Sequence, residues 1–310
     1  MREIVVFGGS AHPALTAEIC AFLNVPQQPV QLERFANDCM EVQLQANCRE
    51  RDVFLIQPLV NPVQEHLVEL LLMADAARGA SAGRVTAVMS HYAYARSDKK
   101  DAPRISIGGR LVADLLVTAG VDRVLTLNLH SPQVHGFFSV PVDHLHALRE
   151  LAAHFRQRDL SNAVVVSPDL GYAKSAAAFA RRLSLPVAAG AKERISDSEV
   201  RITAIIGDVG GRDVIVLDDE ISRGTTVFEL LDRLREQGAR SVAVACTHGL
   251  FADNALDKLA ATAEVTEIVC TNTAPLEAEH PKLTVLSVAP ALAEAISRIH
   301  IGESVSALFD

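Results

Sequence analysis

The sequence predicts an α/β fold: mainly parallel sheets flanked by helices, as in doubly wound proteins, with the unit present twice along 310 residues. Short runs rich in Val and Ile alternate with longer segments of Ala, Leu, Glu and Arg. The runs are continuously apolar, which is typical of strands buried on both faces of a parallel sheet. They lie at residues 4–7, 53–57, 84–89, 123–127, 163–167, 214–217, 241–246, 267–271 and 283–288.

The order of these elements repeats, with Asp52 and Asp213 at the same place in the two copies. The matching segments are residues 5–26 with 164–186, 52–91 with 213–248, and 123–131 with 267–275. Since three matches occur in the same order, we predict an internal duplication that gives two domains, residues 1–147 and 148–310. The sequence leaves open whether the last helix returns to the first domain.

Composition narrows the class of protein. The net charge of −9 and the pI near 5.7 argue against wholesale binding to nucleic acid, so any phosphate recognition must be local. The five cysteines have no CxxC spacing, which favours small buried side chains in a reducing compartment. No apolar run reaches the roughly 20 residues of a membrane span, and no leader pattern begins the chain. We therefore expect a cytoplasmic protein.

The loop that follows the strand at residues 84–89 is rich in charge. HYAYARSDKKDAPR, residues 91–104, contains four cations in an otherwise acidic chain. Cations at the carboxyl end of a strand indicate a polyphosphate site, because ligands of open parallel sheets bind at that edge. A solvated charged loop is the alternative, and composition alone does not separate the two.

Three further segments place polar side chains at strand ends. His130 ends one strand and Asp169 ends another, at turns that allow a Mg²⁺ site, although a lone His is more often structural. Residues 190–199 form a polar run that carries Lys192 and Arg194. This run is either a hinged loop that brings two cations over a substrate or a plain surface loop.

The segment DVIVLDDEISRGTT, residues 213–226, predicts a sugar-phosphate loop. Gly224, Thr225 and Thr226 open a helix, whose N–H groups and dipole suit a phosphate monoester. Asp218 and Asp219 would repel phosphate but suit the vicinal hydroxyls of a ribose or a bound Mg²⁺. The alternative is a polar helix cap with a solvated acidic turn. Three successive carboxylates after a buried strand repel one another and cost more free energy than capping a helix requires. We therefore favour the binding site.

The equivalent turn of the first half, residues 57–62, has neither glycine nor an acid pair. We interpret it as a degenerate copy that serves structure. The duplication would then have kept one sugar-phosphate loop and lost the other.

Taken together, these motifs resemble the ribose-phosphate diphosphokinase family, also called PRPP synthases. HYAYARSDKKDAPR resembles the family's YARQDKK motif, NLHSPQVHGFF its DLHxxQIQGFF, and SPDLGYAK its SPDAGGAK. KER resembles its catalytic-loop KxR, and the segment around DVIVLDDEISRGTT resembles GDVxxRxxIxVDDxxDTxGT. The resemblance is collinear over essentially the whole chain.

The resemblance implies two phosphoribosyltransferase-like domains, assembled into dimers and then hexamers, with an ATP site shared between subunits. It implies Mg²⁺-dependent transfer of a diphosphoryl group from ATP to ribose 5-phosphate, giving 5-phosphoribosyl 1-diphosphate and AMP, without nucleic acid or membrane partners.

The family's functional positions fall on five groups of residues in this chain. By resemblance, ATP binding falls on Phe35, Asn37, Cys39, Arg96, Ser97, Asp98, Lys99, Lys100 and Asp101, metal binding on His130 and Asp169, and catalysis on Lys192 and Arg194. Ribose 5-phosphate binding falls on Asp218, Asp219, Ser222, Arg223, Gly224, Thr225 and Thr226, and an allosteric site on Arg49, Ser81, Arg104, His135, Ser304, Ser306 and Phe309.

Several positions depart from the family pattern. Ser222-Arg223 replaces its Asp-Thr and Thr225 its Gly, while Asn128, Ser97 and Cys39 replace Asp, Gln and Glu. These departures keep three hypotheses open: an active diphosphokinase, a non-catalytic regulatory homologue that co-assembles with a true synthase, and a diphosphokinase with altered pentose-phosphate or nucleotide preference. A phosphoribosyltransferase for a base is disfavoured, because the first half carries an ATP-type motif.

Overall fold

The structure is a computed structural model that describes residues 2–194, 200–276 and 278–308. The chain forms two compact units, each discontinuous in sequence. The first comprises Met1–His146, Thr273–Pro275 and Val288–Asp310, and the second comprises Ala147–Asn272 and Leu276–Ser287. The first break lies next to the predicted boundary at residue 147. Residues 288–310 belong to the first unit, whereas the predicted division placed them in the second domain.

The first unit is built on a six-stranded sheet with a separate two-stranded hairpin. Its elements up to residue 146 are β1 (Ile4–Gly8), α1 (Pro13–Leu23), β2 (Gln27–Gln28), β3 (Val30–Arg34), β4 (Met40–Leu44), β5 (Asp52–Ile56), α2 (Val63–Gly79), β6 (Arg84–Met89), α3 (Gly108–Ala119), β7 (Arg123–Leu127) and β8 (Val142–Leu145). The sheet order is β2-β1-β5-β6-β7-β8 with every pair parallel, and β3 and β4 form the antiparallel hairpin.

The second unit contains a seven-stranded sheet. Its elements are α4 (Leu148–Phe155), β9 (Ala163–Ser167), α5 (Ala173–Leu183), β10 (Val187–Arg194), β11 (Val200–Ile206), β12 (Asp213–Ile221), α6 (Thr225–Glu236), β13 (Ser241–Gly249), α7 (Ala255–Ala261), β14 (Val265–Thr271) and β15 (Leu283–Leu286). The order is β11-β10-β9-β12-β13-β14-β15, in which β10 and β11 pair antiparallel and the other described pairs are parallel.

The two sheets share one topology. Strands β10-β9-β12-β13-β14-β15 repeat the order of β2-β1-β5-β6-β7-β8, as the predicted duplication requires. In each sheet the chain first adds a strand on one side of its first strand, β2 beside β1 and β10 beside β9. It then crosses to the other side of that first strand, so the direction of winding changes between β1 and β5 and between β9 and β12. Such a switch point leaves a crevice at the carboxyl ends of its two strands, where open α/β sheets bind ligands.

Helices cover both faces of the second sheet. Successive side chains of a strand point to opposite faces, so each strand packs against both helical layers. Val164 and Val166 of β9 are buried in a cluster that includes Leu230 of α6 and Leu259 of α7. Val165, between them, is buried with residues of α4 and α5. The continuous apolar run therefore supplies two cores at once.

The helix that closes the chain, α8 (Ala289–Ile301), packs against α1 of the first unit. Asp52, the first residue of β5, is buried and accepts from Arg84 Nε at 2.8 Å and bonds His300 Nδ1 at 2.8 Å. Arg84 also donates to the carbonyl oxygen of Ile299 at 3.0 Å. These contacts fasten the end of α8 to the start of the sheet.

Replacing Arg84 by methionine should lower the free energy of unfolding by about 3 kcal/mol, because the buried Asp52 carboxylate loses its guanidinium partner. Urea unfolding followed by far-ultraviolet circular dichroism measures the change. The duplication supplies a matched control: Asp213 opens β12 and pairs with Arg240, but these two side chains are 30% and 61% exposed. Arg240→Met should change stability far less, and an equal loss in both variants would contradict the argument from burial.

The predicted strands are present. Six further described strands were not predicted, since their short or mixed sequences show no long apolar run: β2, β3, β4, β8, β10 and β11. Residues 190–194 were predicted as part of a loop, but they continue strand β10. Strand β12 extends to Ile221, four residues past the predicted apolar run at residues 214–217. No described helix has both the length and the apolar character of a membrane span.

Candidate active site

The acidic residues of the sugar-phosphate loop lie on the end of β12 rather than in a turn. Asp218 and Glu220 are in register with Cys246 and His248 of β13, so the ladder holds this acidic stretch in extended form. Asp219 is 5% exposed, and Asp218 Oδ1 accepts from the backbone N–H of Asp219 at 2.9 Å. The predicted loop therefore begins later than expected, because its acidic residues continue the strand, and the carboxylates stand at the carboxyl edge.

Beyond Ile221 the chain turns sharply into α6. Gly224 has φ +73°, the left-handed region that favours glycine, and it is the residue preceding the helix. A Cβ there would lie 3.1 Å from Phe228. The helix begins at Thr225 with no side-chain cap among the described residues, so its first N–H groups face the open end. This arrangement suits a phosphate group.

Two strands bring Asp169 and Lys192 into contact. Asp169 follows β9, its Oδ1 accepts from the backbone N–H of Tyr172 at 3.1 Å, and its Oδ2 lies 2.7 Å from Lys192 Nζ on β10. Burial raises the pKa of the Asp169 carboxyl, but the hydrogen bond and charge of Lys192 outweigh it, so the pKa lies below its usual value. Arg194 ends the same strand, and its side chain lies outside the described part of the chain.

The carboxylates of this edge interact with one another. Burial raises the pKa of Asp218 well above its usual value, and the neighbouring charges of Asp219 and Asp169 raise it further. Since β9 and β12 are adjacent strands, their ends place these three acids around one crevice. An edge of this kind favours a bound cation or hydroxyl donors.

The corresponding crevice of the first unit is filled by its own side chains. Glu69 of α2 is 2% exposed and accepts from Ser10 N–H at 2.8 Å and from Gln57 Nε2 at 2.6 Å. Gln57 Oε1 accepts from Ala11 N–H at 3.0 Å, and a Cβ on Gly9 would lie 2.3 Å from that oxygen. This network accounts for the degenerate turn at residues 57–62. An acid within the apolar helix run VELLL was the available sequence signal for Glu69.

The charged loop of the first unit lies at the carboxyl edge of β6. It begins with a short 3-10 helix, Ala93–Arg96, and Arg96, Lys99 and Lys100 are exposed. Lys99 Nζ lies 3.6 Å from Asp101, and both side chains are open to solvent. Asp98 is half-buried.

Ser97 has a structural contact in addition to its predicted role. Its Oγ accepts from the backbone N–H of Gly108 at 2.8 Å, which ties the charged loop to the start of α3. His130 follows β7 at the same edge and is exposed. The two predicted metal residues thus belong to different units, His130 to the first and Asp169 to the second.

The predicted adenine residues form the tip of the β3–β4 hairpin. Phe35 N–H donates to the carbonyl oxygen of Cys39 at 2.9 Å, and Cys39 N–H donates to Asn37 Oδ1 at 3.3 Å. Phe35 is 48% exposed, so its ring is available for stacking.

The predicted allosteric residues lie at two edges of the first sheet. Arg49 and Ser81 precede β5 and β6, and Arg49 also lines an open pocket of about 560 Å³ with Arg2 and Arg51. Ser304 and Ser306 follow α8, whose last turn contacts that amino edge, and Phe309 lies outside the described residues. Arg104 and His135 follow β6 and β7, beyond the carboxyl ends of those strands.

Two family models match the chain. The N-terminal domain of ribose phosphate pyrophosphokinase matches residues 4–120, and the phosphoribosyl synthetase-associated domain matches residues 195–310. A putative ribose-phosphate pyrophosphokinase of Streptomyces coelicolor is 73% identical over 100% of this chain and 98% of its own length. The ribose-phosphate pyrophosphokinase of Deinococcus radiodurans is 50% identical over 99% of this chain and 98% of its own length.

The structure is similar to a crystal structure of phosphoribosylpyrophosphate synthetase from Mycobacterium smegmatis. The TM-score is 0.91 at 38% identity, over 97% of this chain and 100% of the other. This likeness confirms the predicted fold class of two phosphoribosyltransferase-like α/β domains with mainly parallel sheets.

Proposed function

The chain belongs to the ribose-phosphate pyrophosphokinase family, and we propose that it uses the carboxyl edges of its two sheets to perform the family's reaction. The anomeric hydroxyl of ribose 5-phosphate attacks the β-phosphorus of ATP, the bond between the α- and β-phosphates breaks, and 5-phosphoribosyl 1-diphosphate and AMP leave. The contact of Lys192 with Asp169, beside the acid-lined end of β12, is the observation that carries the proposal.

The acceptor site is assigned to the end of β12 and the start of α6. Asp218 and Asp219 bind the ribose hydroxyls, because carboxylates accept hydrogen bonds from vicinal hydroxyl groups. Residues 222–226 hold the 5-phosphate, supported by the left-handed Gly224 and the uncapped N-terminus of a 12-residue helix.

Lys192 and Arg194 are assigned to catalysis. The Lys192 ammonium is held by Asp169, and Lys192 lies on strand β10 and not on a free loop. When the phosphates of ATP arrive, this ammonium can turn from Asp169 to the transferring group and stabilise charge that grows in the transition state.

The acidic edge also fits Mg²⁺, which binds oxygen ligands and neutralises charge on phosphate oxygens. Buried like charges around Asp218 disfavour ionisation unless a cation is near, which supports a metal at this edge. Asp169 offers a carboxylate ligand at this edge, and His130 is assigned to metal binding by the resemblance.

The donor site is assigned to the first domain, residues 1–147. The exposed cations Arg96, Lys99 and Lys100 suit the triphosphate, with Ser97, Asp98 and Asp101 around them. We assign the hairpin tip with Phe35, Asn37 and Cys39 to the adenine of a neighbouring subunit, within a homo-oligomer of dimer to hexamer size in the cytoplasm. The predicted allosteric residues lie at two edges of the first sheet, Arg49 at one and Arg104 at the other. This separation supports an allosteric site assembled from more than one subunit.

Purified protein with ATP, ribose 5-phosphate and Mg²⁺ tests the proposal. We expect release of AMP that depends on ribose 5-phosphate and stops when EDTA removes the metal, then returns with added Mg²⁺. Chromatography of the nucleotides and phosphorus NMR of the sugar product measure the reaction. Turnover with another pentose 5-phosphate but not with ribose 5-phosphate, or AMP release without any acceptor, would contradict the proposed chemistry.

A further inference from the structure

The turn that follows β13 has unusual backbone conformation. Phe251, Asp253 and Asn254 have φ values of +42°, +55° and +61°, although none of them is glycine. Asp and Asn enter this region more readily than other residues with a Cβ, whereas Phe251 is an outlier that persists because its surroundings hold it in place. Strain of this kind is concentrated at functional sites.

The turn is fixed from both ends. The backbone N–H groups of Leu250 and Phe251 both donate to the carbonyl oxygen of Ile221 at 3.0 Å. Lys258 Nζ donates to the carbonyl oxygen of Asp253 at 2.9 Å. These bonds join the turn to the last residue of β12, where the sugar-phosphate loop begins, and to helix α7. They place the Asp253 side chain beside that loop.

Asp253 meets Arg223, which precedes Gly224 in the loop. Arg223 Nε lies 2.7 Å from Asp253 Oδ2, and the two side chains are 75% and 63% exposed. An exposed ion pair contributes little to fold stability, so stability does not account for the strained turn. A guanidinium held at Nε still presents two terminal nitrogen atoms in a planar fork, which matches the oxygen atoms of a phosphate.

We propose that Arg223 is a ligand of the acceptor's 5-phosphate and that Asp253 is its positioning residue. This inference rests on the proposed function and adds a specificity determinant to its acceptor site. Arg223 contributes a fixed positive charge beside the helix N-terminus, so the site selects acceptors that carry a terminal phosphate dianion. Asp253 acts through Arg223 by holding the guanidinium at the mouth of the loop.

Steady-state kinetics of Arg223→Ala, Asp253→Asn and the double variant test the inference, with ribose 5-phosphate varied at saturating ATP and Mg²⁺. Loss of a charge-assisted contact should raise KM for ribose 5-phosphate about tenfold in Arg223→Ala, with kcat within about twofold. Asp253→Asn should raise that KM about threefold, and the double variant should equal Arg223→Ala alone, because Asp253 has no role without Arg223. Arg240→Ala, at the amino edge of the same sheet, removes the same charge and should leave KM unchanged.

Three outcomes overturn the inference. An unchanged KM in Arg223→Ala excludes Arg223 as a ligand, and a lower KM in Asp253→Asn shows that Asp253 competes with the phosphate. A double variant worse than Arg223→Ala gives Asp253 an independent role. Calorimetric binding of ribose 5-phosphate separates these failures from failure of the proposed function. If the wild type binds the sugar phosphate without releasing AMP, the reaction is wrong, and the affinities of the variants still decide the role of Arg223.

Discussion

Replacing Lys192 by alanine is expected to lower kcat about 1000-fold while KM for ATP and for ribose 5-phosphate stays within about threefold. The ammonium of Lys192 is 2.7 Å from Asp169, at the end of the neighbouring strand, and so lies beside the acidic edge to which the acceptor is assigned. Its charge is needed when negative charge accumulates on the transferring diphosphoryl group. The effect should therefore fall on the chemical step, which initial rates at varied ATP and varied ribose 5-phosphate measure.

Two matched variants make the Lys192 result specific. Lys192→Arg keeps the charge and should recover part of kcat, whereas Lys282→Ala removes a lysine from the amino edge of the same unit and should leave kcat unchanged. If Lys192→Ala raises KM for ATP as much as it lowers kcat/KM, then Lys192 binds the ground state and is not specific to the transition state.

Replacing Asp218 by asparagine is expected to have opposite effects on activity and stability. Loss of the carboxylate should lower kcat/KM for ribose 5-phosphate about 100-fold, since a charged hydrogen-bond acceptor for the ribose is removed. Removing a charge next to Asp219 and Asp169 should at the same time raise the unfolding midpoint of the ligand-free protein by about 3 °C. Steady-state kinetics and thermal unfolding of one preparation give both values.

The stability gain in Asp218→Asn should depend on pH. The pKa of Asp218 is raised in the folded chain, so the folded state binds this proton more tightly than the unfolded state. Stability linked to that proton is present at low pH and is lost as the pH rises through the folded pKa. The difference in midpoint between the variant and the wild type should therefore grow from pH 5 to pH 8. Asp232→Asn, on the exposed side of α6, is the control and should show neither effect.

The fold could be predicted from sequence where burial alone decides the pattern. Strands such as β5 and β9 lie between two helical layers, and their runs are continuously apolar. The hairpin β3–β4 has one polar residue for each apolar one and lies outside the main sheet, so no long apolar run indicated it. The destination of α8 depends on Asp52, Arg84 and His300, which are far apart in sequence, and periodicity carries no information about such contacts.

The site could be predicted as a set of positions but not as a set of contacts. Turn and helix chemistry identified Gly224, and strand ends identified Asp169 and Asp218, because parallel sheets bring their carboxyl ends to one edge. The pairing of Lys192 with Asp169 required the register of β10 against β9. Asp253 gave no sequence signal, since its place beside Arg223 depends on how the turn after β13 lies against the end of β12.

The filled crevice of the first unit has a consequence for binding stoichiometry. The carboxyl group of Glu69 fills that crevice and accepts hydrogen bonds from Ser10 and Gln57, whereas the matching crevice of the second unit is the one assigned to the acceptor. A titration of the chain with ribose 5-phosphate should therefore saturate at one equivalent per chain, even though the fold contains two sheet crevices of the same topology. If calorimetry detects a second equivalent, that equivalent is bound outside the sheet crevices. The measured stoichiometry therefore tests for a separate regulatory site.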